Sequence, residues 1–454
     1  MKKILQIGKA ERSVKKTDIF DSVIPIYYLS KFTGLAPLSL AYIHDKEGRA
    51  RVTLKTSVPA VLYTVLLITG IVAAQCFVLT FVRYYTIPFG NIETKQVQIS
   101  EFVLRGITSS TSLAISLTRI RKEMDSLLYK MSVIDILLGT KTDILKSNVI
   151  YMWIQVILLA SILVIVYAND FVAAYSDIIN GMCAIATYFC TTIKIVTIMQ
   201  FVNLVSLLKQ KFQILNSYLG SAANPTQNRT KNNLWETLLQ TPSFRNEDNW
   251  KDDILQLEVL YQALNRRHCG NIIIQDSSST CIQNSLLHKE KLRFRALRII
   301  WDVLCDISAS VNSMYGLQIL LCIVSVFIEI TANLSYSIIS LKVNVFTNEE
   351  LYLNVVIIII WALMQFLQLF SITASCSAAC GEANRSVTLL QKLLLLPELH
   401  PATATEIQLF LHQVRDLKPN FTAWDVFTIN YNLLGSTVGA VATFLVILVQ
   451  MQAN

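Results

Sequence analysis

Seven stretches of the sequence are apolar over about 20 residues or more, the length that crosses a bilayer as a helix. Every backbone polar group must be satisfied internally in lipid, so such stretches have to be helical. The chain has 454 residues, of which 53% are hydrophobic and only 15% charged. We therefore predict an all-α, polytopic membrane protein. Its expected spans are 58–82, 98–118, 149–168, 178–208, 314–341, 351–375 and 426–451.

The distribution of Lys and Arg predicts the orientation of these spans. Most basic residues lie in the N-terminal tail, in 119–147, in 209–298 and in 376–425, whereas the alternate connections are poor in them. By the positive-inside rule the N-terminus is cytoplasmic, and seven spans then place the C-terminus outside. The net charge of +8 follows from this topology and is no sign of nucleic-acid binding.

The same pattern divides the chain into four predicted parts. A polar and basic segment comes first, then a six-helix bundle that contains a flexible cytoplasmic loop at 218–288. A cytoplasmic connector with two helical patterns follows, and the last transmembrane helix ends the chain. The expected boundaries of the four parts are 1–57, 58–375, 376–425 and 426–454.

The last span carries small and polar residues on one face only. Ser436, Gly439, Thr443 and Gln450 recur at helical spacing, and we call this set the polar stripe. One interpretation is helix packing, because Gly435 and Gly439 form a GxxxG pair that permits close approach. The other is a pore wall with the Gln450 amide at a constriction.

Enzyme and metal motifs are missing from the sequence. It contains no Gly-rich phosphate loop, HExxH, GxSxG or paired-carboxylate pattern, and its nine cysteines have no disulfide or zinc spacing. We therefore expect no catalytic residue, no metal site and no cofactor.

Three segments resemble the insect gustatory receptors. Residues 443–451, TFLVILVQM, are similar to the family signature of Thr-Tyr, five hydrophobic residues and Gln-Phe, with Phe444 and Met451 as departures. Residues 381–384, GEAN, look like the segment that follows span six in the family. Residues 24–37, IPIYYLSKFTGLAP, are similar to the branch that contains the fruit-fly and silkworm fructose receptors. The resemblance runs from about residue 24 to the end, except for 218–288.

The resemblance implies a ligand-gated cation channel. Members of the family form tetramers, in which each subunit contributes its last helix to a central pore and the other six spans hold the ligand. Gln450 takes the gate position, Thr443 and Phe444 precede it, and Val446 or Ile447 is an alternative gate. The implied partners are a sugar, with fructose as the expected agonist, weakly selected monovalent cations with some calcium, membrane lipid and three further copies of the chain. The implied location is the plasma membrane.

A sugar site needs polar groups and flat aromatic faces in a mostly closed pocket. The outer and middle parts of the spans supply Arg105, Thr187, Tyr188, Glu329, Asn333, Tyr336, Trp361 and Gln365. Trp361 lies too deep for the interfacial aromatic belt and is the foremost candidate for stacking on a sugar ring. The alternative is a packing role, because large aromatic side chains often fill cores. Arg105 or Lys194 could instead form a structural ion pair with Glu329, because intramembrane charges commonly pair.

Other functions remain as alternatives. A bitter-compound receptor and an odorant receptor share the implied architecture. A secondary transporter would favour two half-repeats with broken helices, and the sequence contains no such symmetry.

Overall fold

The computed structural model of the protein describes residues 19–44, 50–84, 92–138, 142–174, 178–223, 278–343, 348–397 and 399–451. Within these ranges the chain is almost entirely helical, as predicted. In chain order the elements are α1 (Ile19–Phe32), β1 (Leu38–His44), β2 (Ala50–Thr56), α2 (Val58–Tyr84), α3 (Ile92–Ile115), a π-helical turn (Ser116–Ile120), α4 (Arg121–Leu137), α5 (Thr142–Ala174), α6 (Ile178–Ala223), α7 (Ser278–Val343), α8 (Asn348–Leu394), α9 (Pro401–Asp416), β3 (Thr422–Ala423), β4 (Phe427–Thr428) and α10 (Tyr431–Met451).

Six of the seven predicted spans lie within helical segments. The seventh corresponds to α10 but begins at Tyr431 instead of the predicted Val426, because Phe427–Thr428 form strand β4. Five of the described helices, α2, α5, α6, α7 and α8, are long and apolar enough to cross a membrane; α3 is more polar, and α10 holds a shorter apolar stretch over Tyr431–Ile447. The predicted loop 218–288 is helical at both ends, because α6 continues to Ala223 and α7 begins at Ser278. Its middle, 224–277, lies outside the described residues.

Four helices form the centre of the bundle. α6 packs against α3, α7 and α8, and α7 packs against α3 and α8. In α2 and in α5, only 11% of the residues of the most apolar stretch are buried inside the protein. The corresponding share in α6 is 78%. These two helices therefore present apolar side chains outward, which suits contact with lipid. We call the end where α2 meets α3, α5 meets α6 and α7 meets α8 the short-loop end.

The N-terminal segment is folded onto the bundle. α1 ends at a turn in which Gly34 has φ +78° and Leu35 N donates to Ser30 O at 2.8 Å, a C-terminal capping arrangement that favours glycine. Thr64 of α2 donates its hydroxyl to Gly34 O at 2.8 Å. The antiparallel β1–β2 hairpin follows, and Leu54 N donates to Asp125 of α4 at 2.8 Å. Both contacts attach the segment to the bundle.

The connector between the last two spans is also ordered. α8 runs without a break to Leu394, and α9 begins at Pro401, where His400 Nδ1 accepts from Ala402 N at 3.2 Å. α9 buries one face, which includes Phe410 in edge contact with Trp301 of α7 at 6.4 Å between ring centroids. Predicted helical patterns in this connector thus correspond to the end of α8 and to α9.

Candidate functional site

A buried ion pair joins α6 to α7 towards the short-loop end of the bundle. Lys194 Nζ lies 2.6 and 2.7 Å from the two carboxylate oxygens of Glu329, and both side chains are almost fully buried. The Lys194 ammonium also donates to Gln365 Oε1 of α8 at 3.1 Å, so its three protons have three acceptors. This is the structural pairing that the sequence left open for Lys194 and Glu329.

A second pair of charges lies beside the first. Arg105 of α3 hydrogen-bonds Glu101 one turn earlier, and Arg105 Nε is 3.6 Å from Glu329 Oε1. Two cations and two carboxylates therefore balance in one region, which is what buried charges require. Arg105 Nε is buried and makes no hydrogen bond to the described residues, so it can still donate one.

The α8 side of this cluster carries two glutamines on one face. Gln365 is bonded to Lys194, whereas both amide atoms of Gln368, three residues later, lack a hydrogen-bond partner among the described residues. Gln368 is only 8% exposed. Because a buried unpaired amide is costly, this position favours a bound polar group or water.

Three aromatic rings stack next to the charged residues. Tyr167 of α5 stacks on Tyr188 of α6, with 4.4 Å between the ring centroids. Tyr167 also stacks with Trp361 of α8, with 6.1 Å between the ring centroids. The Tyr167 hydroxyl lies 3.2 Å from Tyr188 O and also from Thr192 Oγ1. Trp361 precedes Gln365 by one helical turn, so the stack and the ionic cluster share a face of α8. We call the two together the polar–aromatic cluster.

The other predicted ligand residues are less central. Thr187 is half-buried and precedes Tyr188, and its carbonyl accepts from Thr191 at 3.0 Å. Asn333 is half-buried one turn beyond Glu329. Tyr336 belongs to α7, but its side chain lies outside the described residues. Tyr167, which joins the aromatic stack, was not predicted from the sequence.

The polar stripe of α10 lies on the surface of the single chain. Ser436, Gly439, Thr443 and Gln450 are all exposed, whereas Thr437 and Val441 on another side of the helix are buried. Among the described residues, α10 packs mainly against α7 and α8. A Cβ on Gly435 or Gly439 would meet no described atom within 4 Å, so no part of the chain that the structure describes packs against the GxxxG pair.

The start of α10 is held against α7 by a small hairpin. Asn312 of α7 accepts from Thr422 N at 2.8 Å and donates to Thr422 Oγ1 at 2.9 Å. A Cβ on Gly316, one turn further along α7, would lie 3.2 Å from Trp424 N, so the hairpin needs this glycine for its close approach. α7 therefore contacts both the polar–aromatic cluster, through Glu329, and the base of α10.

Predicted gate residues Val446 and Ile447 are likewise exposed on α10. Thr443, Val446, Ile447 and Gln450 are thus all on the surface of one subunit. The predicted ligand residues whose side chains the structure describes lie within the bundle, buried or half-buried. Taken together, the fold is a polytopic helical membrane protein with a buried polar cluster and a last helix that has one unpacked side.

Comparison with known proteins identifies the class. Residues 23–454 match the family model described as 7tm Chemosensory receptor, and the chain belongs to that family. A search of curated proteins found no match. The insect olfactory receptor OR5 from Machilis hrabei has the same fold, with a TM-score of 0.55 at 13% identity over 94% of this chain and 97% of that one. Its structure in complex with eugenol gives a TM-score of 0.47 at 12% identity, again over 94% and 97%.

The family assignment confirms the resemblance to insect chemoreceptors that the sequence indicated, and these receptors are not enzymes. The chain is a multi-pass membrane protein, consistent with the plasma membrane.

Proposed function

We propose that the protein is a sugar-gated, non-selective cation channel of the gustatory type, with the ligand at the polar–aromatic cluster and the gate on α10. The observation that carries the proposal is the exposed polar stripe of α10. A polar stripe on a membrane helix is unfavourable against lipid, and a single subunit offers it no water-filled passage to line. Four copies related by symmetry would place four stripes around one aqueous axis.

The chemistry of α10 agrees with weak selectivity. Gln450 and Thr443 offer neutral amides and hydroxyls, and a ring of neutral groups gates by size and wetting more than by charge. Monovalent cations would therefore permeate with little discrimination, with some calcium. Val446 and Ile447 form the alternative constriction.

The composition of the cluster fits a ligand with hydroxyl groups and an apolar ring face. Arg105 Nε and both amide atoms of Gln368 form no hydrogen bond with the described residues, so they are available to bind hydroxyl groups. The indole of Trp361 is half-buried. Sugars combine hydroxyls with C–H patches that lie on aromatic faces. A sugar that inserted beside Trp361 would separate it from Tyr167 and change the packing of α5, α6 and α8.

Coupling to the gate would run through α7. A ligand shifts the channel only through its preference for the open arrangement of the helices. Glu329 lies in the cluster, and Asn312 of the same helix holds the hairpin that precedes α10. A small movement of α7 is therefore transmitted to the base of the last helix. The proposed orientation has the short-loop end outside the cell.

The proposal is tested by expressing the chain alone in cells that lack chemoreceptors. We expect fructose or another sugar in a panel to evoke a cation current with a reversal potential near 0 mV in mixed monovalent salts. Currents evoked only by bitter compounds or only by volatile apolar compounds would favour those two receptor types instead. Solute uptake in fixed stoichiometry without channel current would favour a transporter and contradict the pore.

A further inference from the structure

A polar cavity lies at the end of the bundle opposite to the short-loop end, between α7 and the segment that leads into α10. Its volume of about 540 Å³ is within the range of about 300–1,000 Å³ that is usual for sites of small molecules. The lining residues come from α7 between Asp302 and Ser313, from the segment 417–425 and from Arg119 of the π-helical turn. The cavity shares no residue with the polar–aromatic cluster or with α10.

The boundaries of three membrane spans meet at this cavity. Arg119 directly follows span 98–118, and Ser313 directly precedes span 314–341. The hairpin residues that line the cavity come just before α10, which begins at Tyr431. Because these boundaries belong to three separate stretches of sequence, their meeting places the cavity at the level of the lipid headgroups. Its rim is open to that layer, since it includes the exposed side chains of Asp306, Lys418 and Trp424.

Five charged side chains of both signs line the cavity: Asp302, Asp306, Asp425, Arg119 and Lys418. None of them forms an ion pair with another residue that the structure describes. Arg119 donates from Nη1 to Ser313 O at 2.7 Å, which leaves other guanidinium protons for a ligand. Asp302 and Asp425 each accept one hydrogen bond from a neutral side chain, at 2.9 and 2.8 Å. The cavity therefore offers positive and negative groups that do not neutralise each other.

An exposed indole belongs to the same lining. Trp424 is 58% exposed at the tip of the β3–β4 hairpin, next to Asp425. These two residues form a tight turn that is closed by Val426 N donating to Ala423 O at 3.0 Å, and their φ angles are 50° and 59°. Positive φ at both central residues is the geometry of the mirror-image turn that joins two strands closely. The turn thus fixes an aromatic face beside a carboxylate, an arrangement that attracts organic cations.

We propose that this cavity binds the headgroup of a zwitterionic phospholipid, with the phosphate at Arg119 and Lys418 and the ammonium at Trp424 and the neighbouring carboxylates. Arginine matches phosphate oxygens with paired donors, and ammonium groups bind over indole rings. Two cations and three carboxylates favour a headgroup that carries both charges over one that carries negative charge alone. A bound headgroup contacts α7 and the hairpin before α10 together.

A phosphatidylcholine that carries a photoreactive diazirine on its choline group tests the proposal on the full-length protein, without any agonist. The protein is placed in phosphatidylglycerol nanodiscs that contain a small fraction of this probe, and mass spectrometry measures labelling of 302–313 and 417–425. Tyr151, which is exposed near the start of span 149–168, reports lipid that merely surrounds the protein. We expect labelling of the cavity to saturate as the probe fraction rises, whereas labelling of Tyr151 rises in proportion.

Competition identifies the chemistry and the source of the ligand. Replacing phosphatidylglycerol by unlabelled phosphatidylcholine at a constant probe fraction should displace the probe from the cavity and leave labelling of Tyr151 unchanged. Glycerophosphocholine, which has the same headgroup without acyl chains, should also compete. Displacement by glycerophosphocholine but not by phosphatidylcholine would assign the cavity to a soluble zwitterion and overturn the assignment to lipid.

Two variants with matched controls test the assigned contacts. Lys418→Gln and Trp424→Ala should each lower labelling of 302–313 by about threefold, the effect expected for one partly exposed charged or cation–π contact. Lys122→Gln and Trp153→Ala replace exposed residues of the same types outside the cavity and should leave labelling unchanged.

The competition on the unsubstituted protein decides the proposal even if a variant does not fold. Absence of cavity labelling, which would result if a neighbouring copy of the chain filled the cavity, overturns it. Labelling that rises in proportion to the probe and resists phosphatidylcholine also overturns it, as does unchanged labelling in folded Lys418→Gln and Trp424→Ala. No measurement uses an agonist or a current, so none of these results bears on the sugar-gated channel.

Discussion

Breaking the Lys194–Glu329 pair should destabilise the protein, and removing both charges should restore most of the loss. Lys194→Met leaves Glu329 buried with Arg105 Nε at 3.6 Å as its nearest remaining cation. At 2.6 Å and an effective dielectric constant of about 20, the lost attraction is about 6 kcal/mol before desolvation is counted. Measured losses on breaking buried pairs are about 3–5 kcal/mol, and the remaining arginine favours the lower end of that range.

The size of the effect on thermal stability follows from the chain length. An unfolding entropy of about 2.1 cal/mol/K per residue gives about 1 kcal/mol/K for 454 residues, so a loss of about 3 kcal/mol lowers the melting temperature by about 3 °C. In Lys194→Met/Glu329→Gln the remaining charges, Glu101 and Arg105, still balance. We expect that variant to melt within about 1 °C of the unsubstituted protein.

Fluorescence-detected size-exclusion chromatography after heating measures these shifts on the full-length protein. The buried Lys211–Asp135 pair between α6 and α4 is the matched control. Lys211→Met/Asp135→Asn should leave the agonist dose–response unchanged, whereas Lys194→Met/Glu329→Gln should shift it. The reasoning is refuted if Lys194→Met melts like the unsubstituted protein, or if the Lys194/Glu329 double variant loses the sum of the two single losses.

Three further predictions concern single positions. Trp361→Ala should abolish or shift the agonist response, because it removes the proposed stacking surface. Trp153→Ala, on the exposed side of α5, should leave the response intact at equal surface expression. An unchanged dose–response in Trp361→Ala would remove that residue from the ligand site. A Cβ in Gly106→Ala would clash with the amide of Gln75, which must turn away and lose its hydrogen bond to Phe102 O, so the protein should be destabilised by about 0.5–1.5 kcal/mol in a melting assay. Gln75→Ala should remove the difference between chains with and without Gly106→Ala, and a difference that persists would show that another contact is responsible. Gln450→Ala should raise basal current or alter permeation in patch-clamp recordings, and currents identical to those of the unsubstituted channel would place the gate elsewhere.

Hydropathy is sufficient to locate the long helices but not the β1–β2 hairpin. The apolar runs predicted every long helix because a bilayer permits little else. The β1–β2 hairpin is not predicted, because the high Lys and Arg content of the N-terminal segment obscures its alternating pattern. Its alternation of Val52 and Leu54 with Arg51, Thr53 and Lys55, after Gly48, was the available signal.

The candidate site could be predicted residue by residue but not as an arrangement. Arg105, Lys194 and Glu329 were conspicuous because charges are rare at membrane depth. Which of them pair depends on how α3, α6 and α7 are placed around one another, and a single sequence does not contain that order. Tyr167 was overlooked because a tyrosine near the end of a span is usual at the membrane interface.

The exposure of the α10 stripe could not be deduced from its residues either. Small residues serve equally well for packing and for lining a pore, so Gly435 and Gly439 left the choice open. In the described part of the chain no atom comes within 4 Å of a Cβ placed on either glycine, which favours the pore interpretation over packing within one subunit.

The central claim is that the polar stripe of α10 faces an aqueous passage between copies of the chain, and a cryo-electron-microscopy map of the assembled protein in lipid tests it most directly. We predict four copies around one axis, with Thr443 and Gln450 of each copy lining a continuous passage. A map in which these residues contact lipid or a neighbouring helix, with no passage on the axis, would contradict the account.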